Sequence, residues 1–166
     1  MFRKIVLLAA LALTLCACSA SGPQFTPSLV SQDTSVLYIY RPKGFTLAAR
    51  TAAIEINSQR AAGLKNNGYI AIPLPPGKYL VTQYWDSWLG DKDELQRPIT
   101  TEITTKANTA TYVRLGTSST KLPSEVKAGV AISLHWEITQ IPAEQAIPEI
   151  SKTSRVTLEK SFKPRQ

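Results

Sequence analysis

The chain has 166 residues and a formal charge of +7, with nineteen lysines and arginines against twelve acidic residues and one histidine. This length suits one domain with its own hydrophobic core. Both cysteines lie within the first eighteen positions, which excludes a disulfide framework in the body of the chain. The positive charge is spread along the sequence, as expected of a solvated surface that keeps a protein soluble.

Residues 1–17 have the organisation of a secretory signal peptide. Arg3 and Lys4 supply a positive start, and an apolar run over positions 5–17 follows. That run is shorter than the roughly 20 apolar residues that a membrane-spanning helix requires. The sequence Leu15-Cys16-Ala17-Cys18 then resembles the lipobox of bacterial lipoproteins, in which the last cysteine becomes the acylated first residue of the mature protein.

We therefore predict that Cys18 carries palmitate and related acyl chains that anchor the protein to a membrane. Cys16 is the alternative, but it would place bulky Leu15 where a small residue is expected. Each buried methylene contributes about 0.8 kcal/mol, so two or three chains give a lasting anchor. Ser19, and not aspartate, follows the cysteine. This favours the outer membrane, with the protein facing the periplasm of a bacterial cell envelope.

The segment that follows the anchor, residues 18–35, is rich in Ser, Thr, Pro and Gln and has almost no periodic apolar residues. This composition predicts a flexible tether between the lipid and the folded domain. An extended chain spans about 3.3 Å per residue, so such a tether would hold the domain well away from the bilayer.

Residues 36–162 have the pattern of a β-domain. Positions 36–40 are apolar on both faces, which is typical of a strand buried on two sides, and Pro42 ends it. Alternating or β-rich runs predict the further strands. These runs cover positions 54–57, 69–74, 79–85, 99–105, 109–115 and 132–138.

Turn residues separate these runs. The sequence Asn66-Asn67-Gly68 tolerates positive φ, and Lys106-Ala107-Asn108 is predicted to close a hairpin. Pro75-Pro76-Gly77-Lys78 fits a type II turn with positive φ at Gly77. The spacing predicts an all-β fold, a small antiparallel β-sandwich of about seven or eight strands.

The C-terminal part is less regular. Residues 142–152 favour a short helix that Pro148 would interrupt, and residues 156–162 favour a last edge strand. Residues 163–166 form a basic tail. The long polar connection 86–98 joins two of the predicted strands.

Four segments in close succession carry a resemblance to a known family: LYIYRP (37–42), AAIEIN (52–57), LKNNGY (64–69) and LPPGKY (74–79). The order and spacing resemble a family of bacterial lipoproteins built on a domain of unknown function with a PEGA-like Pro-Pro-Gly hairpin. The resemblance covers residues 35–149 and includes TYVR (111–114). It implies a small β-sandwich displayed in the envelope and no catalytic residues.

The residues themselves also point away from catalysis. His135 is the single histidine, and Glu137 is the one carboxylate on its side of the predicted strand. There is no Gly-x-Ser-x-Gly motif around a nucleophilic serine. In the acidic stretch 91–94, Lys92 interrupts the carboxylates and Gly90 precedes them, unlike a calcium loop. We predict no catalytic residue, no metal site and no cofactor.

Four large residues near the end of one strand are the candidate partner-contact site: Tyr84, Trp85, Trp88 and Leu89. Large apolar side chains beside a charged loop either fold back onto the core or form a contact patch for another protein. Aromatic rings in such a patch also stack on sugar rings.

These observations favour a lipid-anchored, non-enzymatic binding or structural module of the cell envelope. Its partner would be another envelope protein or a multi-protein assembly, and nucleic acid is not expected in that compartment. The alternative is a module that binds peptidoglycan or another polysaccharide.

Overall fold

A computed structural model describes residues 19–28, 30–86, 97–121 and 132–164, with side chains at 119–121 and 132–134 left out. Nine strands and one helix follow in chain order. They are β1 Ser35–Arg41, β2 Ala52–Ile56, β3 Gln59–Leu64, β4 Gly68–Leu74, β5 Gly77–Trp85, β6 Ile99–Thr105, β7 Ala110–Lys121, β8 Ile132–Ile141, α1 Ala143–Ile150 and β9 Ser154–Arg155.

The strands form two sheets, which confirms the prediction of an all-β sandwich. One sheet has the order β8-β7-β1-β4-β9 and the other has the order β3-β2-β5-β6. Most neighbouring strands are antiparallel, but β1 pairs with β7 and β4 pairs with β9 in parallel. The main core fills the space between the sheets and is built from residues of β1 to β8, most of them aliphatic, with Tyr79 and Trp85 among them.

Strand β1 is buried along its whole length, as its doubly apolar sequence predicts. Leu37 and Ile39 point into the main core between the sheets. Tyr38 and Tyr40 point the other way, into a second apolar cluster on the outer face of the same sheet. Because β1 is the central strand of five, both of its faces need cover.

Two segments cover this outer face. Helix α1 contributes Ala146 and Ile150, which are fully buried. The N-terminal segment contributes Phe25, whose ring meets Tyr38 and Tyr69 edge-on at centroid distances of 5.2 and 5.3 Å. Burial of these rings removes a large apolar area from water and fixes both segments on the sheet.

The prediction of a flexible tether over residues 18–35 is wrong for the part that the structure describes. Residue Ser19 forms a bridge with Asn66, and Gln24 forms one with Ser154. The amide of Arg155 donates to the carbonyl of Pro23 at 2.7 Å. The segment therefore extends the edge of the five-stranded sheet beyond β9.

A polar composition does not exclude such docking, because one aromatic side chain and backbone hydrogen bonds are enough to hold an extended segment. Phe25 supplies the apolar contact. Gly22 allows the close approach, since a β-carbon at that position would collide with the carbonyl oxygen of Arg155. The sequence pattern carries no periodic signal for either requirement.

The predicted hairpin around Lys106-Ala107-Asn108 is also wrong. Strand β6 pairs with β5 in one sheet, while β7 pairs with β1 and β8 in the other. Asn108 does adopt positive φ, at 59°. Turn residues thus report that the chain reverses, but the choice of sheet depends on where the apolar faces are buried.

The Pro-Pro-Gly segment connects different sheets as well, since β4 and β5 do not pair. Gly77 does not adopt the positive φ of the predicted type II turn. A two-residue hairpin lies instead between β2 and β3, where Asn57 and Ser58 have φ values of 48° and 63°. Positive φ at both central residues is characteristic of a type I′ turn.

At the C-terminal end, α1 includes Pro148 as its sixth residue, so the predicted helix forms in spite of the proline. The predicted strand over residues 156–162 is not formed. Instead, the two-residue β9 pairs with β4, and the amide of Glu159 then donates to the carbonyl of Ala61 at 2.8 Å. This contact covers part of the edge of β3.

Candidate functional site

Two residues of the predicted partner-contact site are buried. Trp85 is 2 % exposed and Tyr84 is 6 % exposed, so neither presents a ring to a partner. The prediction that these two residues belong to a contact patch is wrong, because both lie on β5 and not in the loop after it. Trp88 and Leu89 lie outside the described residues, and their role stays a prediction.

The burial of Trp85 also weakens the glycan-binding alternative. Stacking on a sugar needs an open ring face, whereas Trp85 packs against Trp136 with ring centroids 4.6 Å apart. Arg41 lies over the same two rings, its guanidinium carbon 4.9 Å from the Trp85 centroid and 5.4 Å from that of Trp136. These three side chains close one end of the main core.

Arg41 is a buried cation, 1 % exposed, and it is held by backbone carbonyls. Its Nη1 donates to Arg50 at 2.7 Å, and its Nη2 donates to Leu47 at 2.8 Å and to Thr46 at 3.4 Å. Burial lowers the pKa of Arg41 to about 10, so the side chain remains charged at neutral pH. Carbonyl dipoles and the faces of two indoles together stabilise the charge.

These hydrogen bonds shape the loop between β1 and β2, residues 42–51. The amide of Ala48 donates to Phe45 at 3.1 Å, and that of Arg50 donates to Leu47 at 2.9 Å. Leu47 turns inward onto the main core, whereas Phe45 is fully exposed. The loop is therefore an ordered turn that presents an aromatic ring to its surroundings.

Asn66 joins this loop to the N-terminal segment. Its side chain accepts a hydrogen bond from the amide of Gly44 at 3.1 Å and donates one to the carbonyl of Gly44 at 3.0 Å. Its own carbonyl accepts from the amide of Ala20 at 3.0 Å. We call this part of the sandwich, with Ser19, Asn66 and loop 42–51, the Asn66 end.

The opposite end of the sandwich contains the β2–β3 hairpin. Asn57 there donates its amide to the carbonyl of Leu80 and accepts from the Leu80 amide through its side chain, both at 2.9 Å. Leu80 itself is 44 % exposed. We call this the Asn57 end.

A cleft of about 260 Å³ lies between loop 42–51 and β7. Arg41, Lys43, Arg114, Trp136 and Glu149 line it, among others. The carboxylate of Glu149 is engaged, because it accepts from the Tyr40 hydroxyl at 2.9 Å and from Arg114 at 3.3 Å. Burial and the adjacent carboxylate raise the pKa of Tyr40. Among the described lining residues, the acid Glu149 is thus paired with Arg114 and with the phenol of Tyr40. We interpret this pairing as structural.

Asp86 is likewise engaged in an ion pair. Its carboxylate accepts two hydrogen bonds from Arg60, at 2.9 and 2.8 Å, and Arg60 also binds Glu159 at 2.6 Å. The two carboxylates raise the pKa of Arg60 against the opposing effect of its burial. The acidic stretch 91–94 lies outside the described residues.

His135 lies on β8 with an exposed side chain. Within residues 19–28, 30–86, 97–121 and 132–164, no three histidine, cysteine or acidic side chains converge as metal ligands would. In the same ranges no helix has the length and apolar character needed to cross a bilayer.

Compared with known proteins, the chain matches no family model, no curated protein and no solved structure. The resemblance to a lipoprotein family with a domain of unknown function stays a prediction.

Sequence reasoning did not single out Arg41, Phe45 and Asn66, the residues that organise one end of the fold. A signal for Arg41 exists, since a lone arginine directly follows five apolar residues. The Gly44-Phe45 pair in a short polar connection is a second signal. Asn66 looks like an ordinary turn residue, and only its hydrogen bonds reveal that it joins two segments.

Proposed function

We propose that the chain is a lipid-anchored β-sandwich of the bacterial cell envelope that acts as a non-enzymatic binding or structural module. The observation that carries this proposal is the sequence Leu15-Cys16-Ala17-Cys18 at the end of a short apolar run with a positive start. It places an acylated cysteine directly before Ser19. Ser19 at the second mature position supports the outer membrane, with the domain in the periplasm.

The fold is compatible with such an anchor. Ser19 lies half-buried at the Asn66 end, at the start of the docked segment. The Asn57 end would then face away from the membrane.

A non-enzymatic role is supported by the engaged state of the described acidic side chains in the cleft and at Asp86. Glu149 is held by Tyr40 and Arg114, and Asp86 is held by Arg60. General acid–base catalysis needs a group that exchanges its proton with a substrate. We therefore propose a partner that is bound and not transformed, namely another envelope protein or an assembly of several.

The anchor is tested by metabolic labelling of cells with palmitate. The wild type and the matched variant Cys16→Ser are expected to incorporate label, and Cys18→Ser is expected to lose both the label and signal-peptide processing. Label that persists in Cys18→Ser and disappears in Cys16→Ser would move the anchor to Cys16. Absence of label in all three proteins would overturn the proposal.

The partner is tested by cross-linking in intact cells, followed by mass spectrometry of the detergent-solubilised envelope. Trp88→Ala is expected to reduce recovery of the partner, while Leu80→Ala at the Asn57 end serves as a matched apolar control. If no protein is enriched with the wild type over Cys18→Ser, the binding role fails while the anchor stands.

A further inference from the structure

The exposed ring of Phe45 lies at the same end of the sandwich as the proposed lipid anchor. One residue, Asn66, hydrogen bonds both to Gly44, the neighbour of Phe45, and to Ala20, two positions after Cys18. Single exposed apolar residues are common on protein surfaces and need no explanation by themselves. The position beside the anchor is what distinguishes Phe45.

We propose that loop 42–51 is a second membrane contact, and that Phe45 enters the leaflet that holds the acyl chains of Cys18. This inference rests on the proposed anchor. It adds an orientation: the sandwich stands on its Asn66 end, and the Asn57 end points into the aqueous compartment.

The docked N-terminal segment supports this orientation. A long flexible tether would leave the domain free to rotate, but residues 19–28 are fixed to the sheet edge by the bridges at Ser19 and Gln24 and by Phe25. Consecutive Cα atoms are about 3.8 Å apart. With no free residue between Cys18 and Ser19, the acyl chains bring Ser19 to the level of the lipid headgroups.

The loop has the chemistry of a membrane-facing surface. Phe45 is the most exposed large apolar residue among those described, and a β-carbon added at Gly44 would meet no atom within 4 Å, so the tip projects freely. Aromatic rings are favoured at the boundary between headgroups and acyl chains. Exposed Lys43 on the loop and Lys65 beside Asn66 suit the phosphates of anionic lipids.

The carboxylates that the structure describes beside the loop, Glu149 and Asp86, are already paired with arginines. Positions 42–51 (PKGFTLAART) and 65–68 (KNNG) contain no acidic residue. Arg41 holds the loop from within through the carbonyls of Thr46, Leu47 and Arg50, so Phe45 is presented on a fixed turn. A preformed tip loses little conformational freedom on insertion.

The test uses the full-length lipidated protein in vesicles of phosphatidylethanolamine and phosphatidylglycerol. With Cys16 removed with the signal peptide and Cys18 acylated, a single introduced cysteine is the only free thiol and accepts a spin label. Phe45→Cys reports the loop, and Leu80→Cys, an exposed apolar residue of the Asn57 end, is the matched control. Collisions with lipid-dissolved oxygen and with a water-soluble nickel chelate report depth.

We expect the ratio of oxygen to nickel accessibility at position 45 to exceed that at position 80 several-fold. An aqueous reading at both positions, in protein that carries palmitate, overturns the second contact and leaves the anchor intact. A lipid reading at both positions overturns the upright orientation. Protein without palmitate indicates instead that the anchor itself has failed.

A photo-cross-linking amino acid at position 45 in intact cells separates a membrane from a protein contact. Adducts with lipid are expected. A protein adduct of defined mass would assign the loop to a partner protein and overturn the membrane contact. The melting temperature of each variant, compared with the wild type, verifies that the exposed position tolerates the change.

Discussion

The ring of Phe25 meets that of Tyr38 edge-on, with centroids 5.2 Å apart and planes inclined by 79°. This contact fixes an N-terminal segment whose composition predicts disorder. Phe25→Ala is expected to lower the free energy of unfolding by about 3 kcal/mol, because it leaves a cavity among aromatic rings. Urea denaturation measures the loss, and limited proteolysis should cut residues 19–28 earlier.

Phe45→Ala is the matched control for this change. The same atoms are removed from a fully exposed side chain, and the free energy of unfolding should change by less than about 0.5 kcal/mol. Equal losses for the two variants would contradict the docking of the N-terminal segment.

Substitution of two glycines by alanine is expected to have different effects on stability. A β-carbon at Gly22 collides with the carbonyl oxygen of Arg155, whereas one at Gly44 meets nothing within 4 Å. Gly22→Ala is expected to destabilise the protein by about 1–3 kcal/mol through overpacking. Gly44→Ala should have little effect. Thermal unfolding of the two variants compares them directly, and a neutral Gly22→Ala would argue against the tight edge.

Arg41→Lys keeps the charge but loses the planar group that serves several carbonyls and two indoles at once. Hydrogen bonds of charged groups are worth about 1.5–3 kcal/mol, so a loss of about 2 kcal/mol is expected. Tryptophan fluorescence followed during urea denaturation measures it. Arg97→Lys, at an exposed position, is the control and should leave the free energy of unfolding unchanged. Similar losses of stability in both variants would contradict the special role of Arg41.

Replacement of the buried Gln83 side chain by an apolar one is expected to stabilise the protein. It is 1 % exposed on β5, and no described residue accepts a hydrogen bond from its side-chain nitrogen. Gln83→Met keeps the length of the side chain and is expected to raise the free energy of unfolding by about 1 kcal/mol. Gln59→Met provides the contrast, because the Gln59 nitrogen donates to Ser161 at 3.0 Å and that bond would be lost.

Alkaline pH is expected to destabilise the fold through its tyrosines. Burial raises the pKa of Tyr40, Tyr69, Tyr79, Tyr84 and Tyr112. The unfolded chain ionises near its ordinary value of about 10, so this stability is present below that pH and is lost as pH rises above it.

Tyr40→Phe should make the alkaline loss less steep, because it removes one of these phenols. Urea denaturation between about pH 8 and pH 11, followed together with tyrosinate absorbance, measures the effect. Ionisation at ordinary pH in protein that is still folded would contradict the burial of these rings.

The amino-acid pattern determined the fold class and much of the strand content. Apolar character on both faces predicts the doubly buried β1, and alternating or β-rich runs predict β5, β6 and β8 close to their observed bounds. These signals are local, since each depends on the burial of neighbouring positions in one strand. The lipobox is also a local signal, and it carries the proposed location.

Only the tertiary structure shows which strands pair and which segments pack against each other. Turn residues at 75–77 and 106–108 mark reversals, but which sheet the next strand joins depends on distant apolar faces. The docking of residues 19–28 depends on Tyr38 and Tyr69, which lie far along the chain. The sequence alone allows Trp85 to be a surface aromatic, whereas in the structure Arg41 and Trp136 enclose it. Pairing across such separations leaves no periodic mark in a sequence, because hydrogen bonds and ring contacts depend on positions that only the folded chain brings together.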